Sequence, residues 1–142
     1  SEMLRTKNEE HNSYNLPDSI NQIDWNWKVK NKAVVDYYKN LIALRRTHPA
    51  FRMTSGEEVR EHLSFIKMED GLIVYQINGH ANGDDWKDIL VIYNAQEKPV
   101  HYSLEGDWQL AVIGDQFTLD KGTIVKDKVE VPAISMLVAY QK

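Results

Sequence analysis

From Leu63 to Gln141 the chain runs through short stretches rich in β-branched and aromatic residues, and no helical pattern separates one from the next. The stretches are 63–68, 72–78, 88–95, 99–105, 108–113, 128–132 and 134–141. Turn signals lie between them at Glu69-Asp70-Gly71, Asn82-Gly83-Asp84, Glu105-Gly106-Asp107 and Gly114-Asp115. Parallel pairing needs long crossover connections, usually helical, so this spacing leaves antiparallel pairing. The expectation from about residue 50 to 142 is an antiparallel β-sandwich.

The first third has a different period. In residues 31–48, Val34, Tyr38, Leu41 and Arg45 fall on one helical stripe, with Val35 and Ile42 beside it. Asn31 can cap the start, Arg45, Arg46 and His48 suit the C-terminal dipole, and Pro49 stops continuation. A second, short helix is expected over 55–63, with Ser55 and Glu58 at capping-box spacing. A lone loop and helix cannot bury its own apolar stripe. Residues 1–49 therefore either pack on the β module or belong to a larger body.

The chain's 142 residues amount to about one domain, and 42% hydrophobic against 27% charged residues supports a packed core. A net charge of -4 with no basic stripe argues against a nucleic-acid partner. The absence of cysteine excludes disulfides and thiolate metal sites. No apolar run is long enough for a membrane helix. The opening SEMLRTKNEE lacks a signal-peptide shape, and cytoplasmic and secreted locations both stay open.

His11, His48, His62, His80 and His101 have no metal-ligand spacing and read as surface or helix-end residues, so no metal site is expected. Residues 80–85 read as a solvated hairpin loop in preference to a calcium site. Trp86 and Trp108 read as core, whereas Trp25 and Trp27 stand between packing and sugar stacking.

The stretch NSYNLPDSINQIDW, residues 12–25, joins turn formers to large rings. Asp18 and Asp24 are its acids. Their spacing alone does not make a general acid–base pair, and an Asp after Pro is usually a turn or cap residue.

The order of parts is more specific. EMLRTK, then NSYNLPDSINQIDW, then a helix leaving through LIALRRTHPAFR, then a β module with DWKDILVIYNA and VPAISMLVAY: this series resembles the C-terminal end of the type I pullulanases, debranching enzymes of the α-amylase superfamily. The resemblance implies an α/β barrel end followed by an all-β antiparallel sandwich. Residues 1–49 would be the last unit of a (β/α)8 barrel, with 1–7 its strand, 8–30 its loop and 31–48 its helix. Residues 50–142 would be the C-terminal domain. Barrel enzymes build their sites from such loops.

Family members cleave α-1,6-glucosidic linkages in pullulan and branched α-glucans by the retaining route. Their catalytic carboxylates come from earlier strands, so the resemblance implies no catalytic residue here and an inactive segment without the missing N-terminal part. Any calcium would likewise sit in that missing part, and no cofactor is implied.

By resemblance Asp18 matches an Asp that bonds glucose hydroxyls, while Gln22 stands where some members carry a sugar-contacting Arg. Asn21 is a second substrate-binding candidate or a holder of the loop backbone, and Tyr14 packs the loop or flanks sugar. Glu2, Arg5 and Trp25 are expected as structural support. Two alternatives stay open at this point. One is a free-standing, non-catalytic β-sandwich that binds carbohydrate or a protein partner. The other is an isoamylase or glycogen-branching relative.

Overall fold

The computed structural model describes residues 1–142, the side chain of Asp120 excepted. It divides into two compact units, Ser1–Leu44 and Arg45–Lys142.

In the first unit the segment 12–25 contains a short helix α1, Asp18–Asn21, followed by α2, Asn26–Lys30. The long amphipathic helix is α3, Lys32–Thr47, whose last turn enters the second unit. The Asn31 side-chain amide donates to the Met3 carbonyl at 2.7 Å, so the residue expected as a cap ties the chain start to this helix. Leu44, outside the expected stripe, is the buried residue of α3, while Tyr38 and Ile42 remain exposed.

No strand forms over residues 1–7. A strand exists by pairing, and no pairing partner for this segment occurs among the described residues. The backbone also bends there, with positive φ at Leu4, and again just beyond it at Asn8 and Glu9.

The second unit begins with a 3-10 turn, Pro49–Arg52, and helix α4, Gly56–His62. The Ser55–Glu58 capping box closes reciprocally, with Glu58 N–H on Ser55 Oγ at 3.1 Å and Ser55 N–H on Glu58 Oε2 at 3.2 Å.

Each expected β stretch forms a strand: β1 Leu63–Glu69, β2 Leu72–Ile77, β3 Asp88–Asn94, β4 Val100–Ser103, β5 Trp108–Ile113, β8 Lys128–Val131 and β9 Ser135–Gln141. Two further strands, β6 Gln116–Phe117 and β7 Ile124–Val125, have only two residues each and leave no alternation to read. The main sheet has the order β1-β2-β3-β9-β5-β6, with β7 also on β5, and β4 pairs with β8 in a second sheet. Every pairing is antiparallel.

Alternation places Leu72, Val74, Leu90, Ile92, Leu137 and Ala139 on the inner face of the main sheet, clustered with Val129 and Val131 of the second. Asn94 staples the two sheets. Its Nδ2 donates to the carbonyl of Val131 in β8 at 3.3 Å and to those of Lys98 and Pro132 beside the second sheet at 3.0 and 2.8 Å, and it is fully buried.

On the opposite face, residues 48–50 and 80–86 cover one end. His48 stacks on Trp86 with ring centroids 3.4 Å apart, and Trp86 stacks on Tyr140 at 3.9 Å. The Asp84 carboxylate lies beneath them. It accepts from His48 Nδ1 at 2.9 Å, from Ala50 N–H at 3.0 Å and from Trp86 N–H at 2.9 Å. His48 stands at the helix end, directly after α3, but it is buried and not on the surface. The reading of 80–85 as a solvated loop is overturned, since Ala81 and Asp84 are both withdrawn from water. The physical reason is that Asp84 is consumed by chain donors rather than by solvent.

Candidate functional site

Segment 12–25 separates a backbone that is tied down from side chains that are not. Asn21, at the end of α1, does most of the tying. Its Nδ2 donates to the carbonyls of Ser13 at 2.7 Å and Leu16 at 2.8 Å, and its Oδ1 accepts from Lys7 Nζ at 3.1 Å. Both amide hydrogens are thereby used. Lys7 Nζ also donates to the hydroxyl of the buried Ser13. Arg5 Nη2 donates to the carbonyl of Asn21 and, at 3.2 Å, to that of Gln22. Pro17 precedes α1 at φ -64°, a value its ring imposes, so the chain enters the helix already turned.

On this frame the side chains of Asp18, Gln22 and Tyr14 stand in solvent, Tyr14 being 84% exposed. Among the described residues no hydrogen bond or ion pair engages the Asp18 carboxylate, although the residue opens α1 and could have capped it. Asp24 is spent locally instead, its Oδ1 accepting from Asn26 N–H at 2.9 Å.

The expected substrate contacts thus divide. The side chains of Asp18, Gln22 and Tyr14 enter no hydrogen bond among the described residues, while Asn21 belongs to the frame. Of the three residues expected as support, Arg5 grips the loop. Glu2 is exposed and Trp25 is 66% exposed, and neither side chain enters a hydrogen bond among the described residues. Trp27 is half-buried, with Lys30 Nζ 4.7 Å from its ring centroid.

The spacing of Lys7, Ser13 and Asn21 gave no sign of this frame, because the three meet across turns. What the sequence did offer was Asn21 as an alternative holder of the loop backbone.

Elsewhere an open cleft of about 370 Å³ lies beside Lys87, Asp107, Gln109 and Gln141. Two of its polar side chains are already engaged: Asp107 pairs with Lys126 at 2.7 Å, and Gln141 Nε2 donates to the Asp107 carbonyl at 3.0 Å. Among the described residues no group of His, Asp and Glu is arranged to hold a metal ion. No helix is long and apolar enough to cross a membrane.

Comparison with known proteins agrees with the sandwich and with the loop together. The family described as "Pullulanase, all-beta domain" matches residues 59–116. The pullulanase of Bacillus subtilis strain 168 is 36% identical over 140 residues, which is 98% of this chain and 20% of that protein. Its crystal structure as a type I pullulanase complexed with maltose superposes with a TM-score of 0.91 at 34% identity, over 99% of this chain and 20% of that one.

The pullulanase from Bacillus acidopullulyticus gives a TM-score of 0.93 at 41% identity, over 99% of this chain and 17% of that chain. An isoamylase of Pseudomonas amyloderamosa is 30% identical over 115 residues, covering 72% of this chain and 15% of its own length.

The class defined by fold, loop and matches is that of the pullulanases and isoamylases, the debranching glycoside hydrolases. Within it the chain belongs to the pullulanase family, as the C-terminal part of a type I member. It spans from 15% to 20% of the length of these relatives.

Proposed function

We propose that the complete protein hydrolyses α-1,6-glucosidic linkages in pullulan and branched α-glucans, and that this segment supplies one wall of the substrate cleft. In this reading residues 1–49 complete a (β/α)8 barrel, and 12–25 lies on the rim where barrel enzymes bind their substrates. The chemistry is the retaining route. One carboxylate attacks the anomeric carbon, and a second protonates the leaving oxygen and then activates water. Both carboxylates come from earlier barrel strands, so Asp18 and Asp24 bind or brace and do not react.

The observation that carries the reading is the Asp18 carboxylate, unused by the chain and held on a loop whose backbone is pinned. An ionised carboxylate accepts hydrogen bonds from two sugar hydroxyls, each stronger than a neutral pair. Gln22 can donate and accept beside it, without the charge or fork of an Arg. Tyr14 offers a ring face to a pyranose.

The test is Asp18→Ala in the complete enzyme. Loss of one charged hydrogen-bond set lowers kcat/KM on pullulan by about 1–3 kcal/mol in transition-state terms. Unchanged kinetics would remove Asp18 from the substrate site. The isoamylase match makes product analysis the second check. Maltotriose released from pullulan supports the pullulanase reading, and attack on glycogen with none on pullulan moves the substrate to the isoamylase kind.

A further inference from the structure

We infer that Asn21, Lys7 and Arg5 form a positioning lock for the Asp18 carboxylate, so that Asn21 acts on a bound glucan through Asp18 and not by touching it. The inference rests on the proposed glucan contact of Asp18 and names what fixes that contact in place.

A four-residue helix has no stability of its own, because nucleation costs more than one turn of hydrogen bonds returns. The direction in which α1 presents Asp18 must therefore be set from outside the helix. Asn21 lies three residues on, within the same turn, and both of its amide hydrogens close the loop onto Ser13 and Leu16.

Lys7 fixes the remaining end of that amide and the Ser13 hydroxyl together. Arg5 holds the carbonyls of Asn21 and Gln22, which are open acceptors at a helix C-terminus and the place where a cation is favoured. The tethers thus reach α1 from residues 5–7 and from 13–16, and they leave the Asp18 side chain free. A sugar hydroxyl could bond Asn21 Nδ2 only by displacing a backbone carbonyl, which would undo the loop that presents Asp18. Donation from Asn21 Nδ2 to a sugar and correct placement of Asp18 therefore exclude one another.

The test is a double-mutant cycle on pullulan hydrolysis by the complete enzyme, with Asp18→Ala, Asn21→Ala and the pair. Residues acting through one contact give non-additive losses. Asn21→Ala should reduce kcat/KM by about tenfold, mainly through KM, yet cost less than about twofold once Asp18 is already Ala. An equal loss in both backgrounds means that Asn21 acts independently, and overturns the lock. No loss from Asp18→Ala alone is a different result, because it removes the glucan contact on which the lock depends.

Lys7→Met guards against misfolding of the Asn21 variant, since it leaves both Nδ2 bonds in place. It should raise KM in the same Asp18-dependent way, and Lys7→Arg should recover most of the loss. Parent-like kinetics for Lys7→Met overturn the lock as well.

Discussion

Asp84 shows how far a polar residue's role can lie from its local sequence. It sits in His80-Ala81-Asn82-Gly83-Asp84-Asp85, a run that composition assigns to solvent. Its partners are His48 and Ala50, 36 and 34 positions earlier, and no window along the chain contains both ends. Only the bond to Trp86 N–H, two residues on, is local. Replacing Asp84 by Ala strands the His48 ring donor and two backbone N–H groups in a dry site, at about 1–3 kcal/mol for each unsatisfied group. The expected outcome is a net loss of about 3 kcal/mol, read as a lower urea midpoint with unchanged slope. A midpoint within error of the parent would show that solvent reaches these groups. Asp18 is the opposite case: its position after Pro suggested a turn or cap role, and the structure leaves its carboxylate unused by the chain.

Elements were legible wherever their signal was local. The capping box of α4 was readable from Ser55 and Glu58 alone, and each longer β stretch was placed by its β-branched and aromatic residues and its flanking turns. The two-residue strands β6 and β7 had no period to show, α1 was hidden inside the turn-rich segment 12–25, and α2 lay within the stretch 8–30 expected as loop. Two predictions belong at this scale.

Backbone hydrogen bonds from Thr54 and Ser55 hold the Glu58 carboxyl below its ordinary value of 4.5. A depressed folded-state value stabilises the helix above the unfolded value, and that stability is lost as pH falls through the folded one. Hydrogen exchange in α4 should therefore quicken as pH drops below about 4.5, once corrected for intrinsic rates, and Glu58→Gln should flatten the change. A parent protein as flat as the variant would show that Glu58 does not support the cap.

Gly71 turns the β1–β2 hairpin at φ +74°, and a Cβ there would stand 2.9 Å from Gln96 Cγ. Gly71→Ala should lower stability by about 1–3 kcal/mol, because left-handed backbone and contact both oppose it. A thermal midpoint equal to the parent's would mean that the hairpin adopts another turn.

At the scale of the molecule, the two units differ in what they bury. The second holds a shared core of Leu72, Val74, Leu90, Ile92, Leu137 and Val131, with the buried Asn94 bonded across its two sheets. The first has Met3, Ser13 and Leu44 as its buried residues and leaves Val29, Tyr38 and Ile42 exposed. Ordering a residue costs about 1–2 kcal/mol of backbone entropy, which so little apolar burial does not offset. The sequence already implied this, since an amphipathic helix without a second layer needs a partner. What it could not supply was the bonded frame that fixes the loop, because that depends on where turns bring Lys7 and Arg5.

The 142-residue chain in isolation should therefore protect the amides of β2, β3, β5 and β9 while those of residues 12–30 exchange fast. It should release no reducing sugar from pullulan, because the retaining route needs two carboxylates that the proposed barrel carries elsewhere. Adding the upstream barrel as a separate polypeptide should slow exchange across 12–47 and restore hydrolysis together, since in this reading one assembly event both buries the α3 stripe and completes the cleft. Slow exchange over 12–30 in the chain alone would make the segment a self-sufficient module. Activity from the chain alone would place the reacting carboxylates within these residues, against the assignment of chemistry to the barrel.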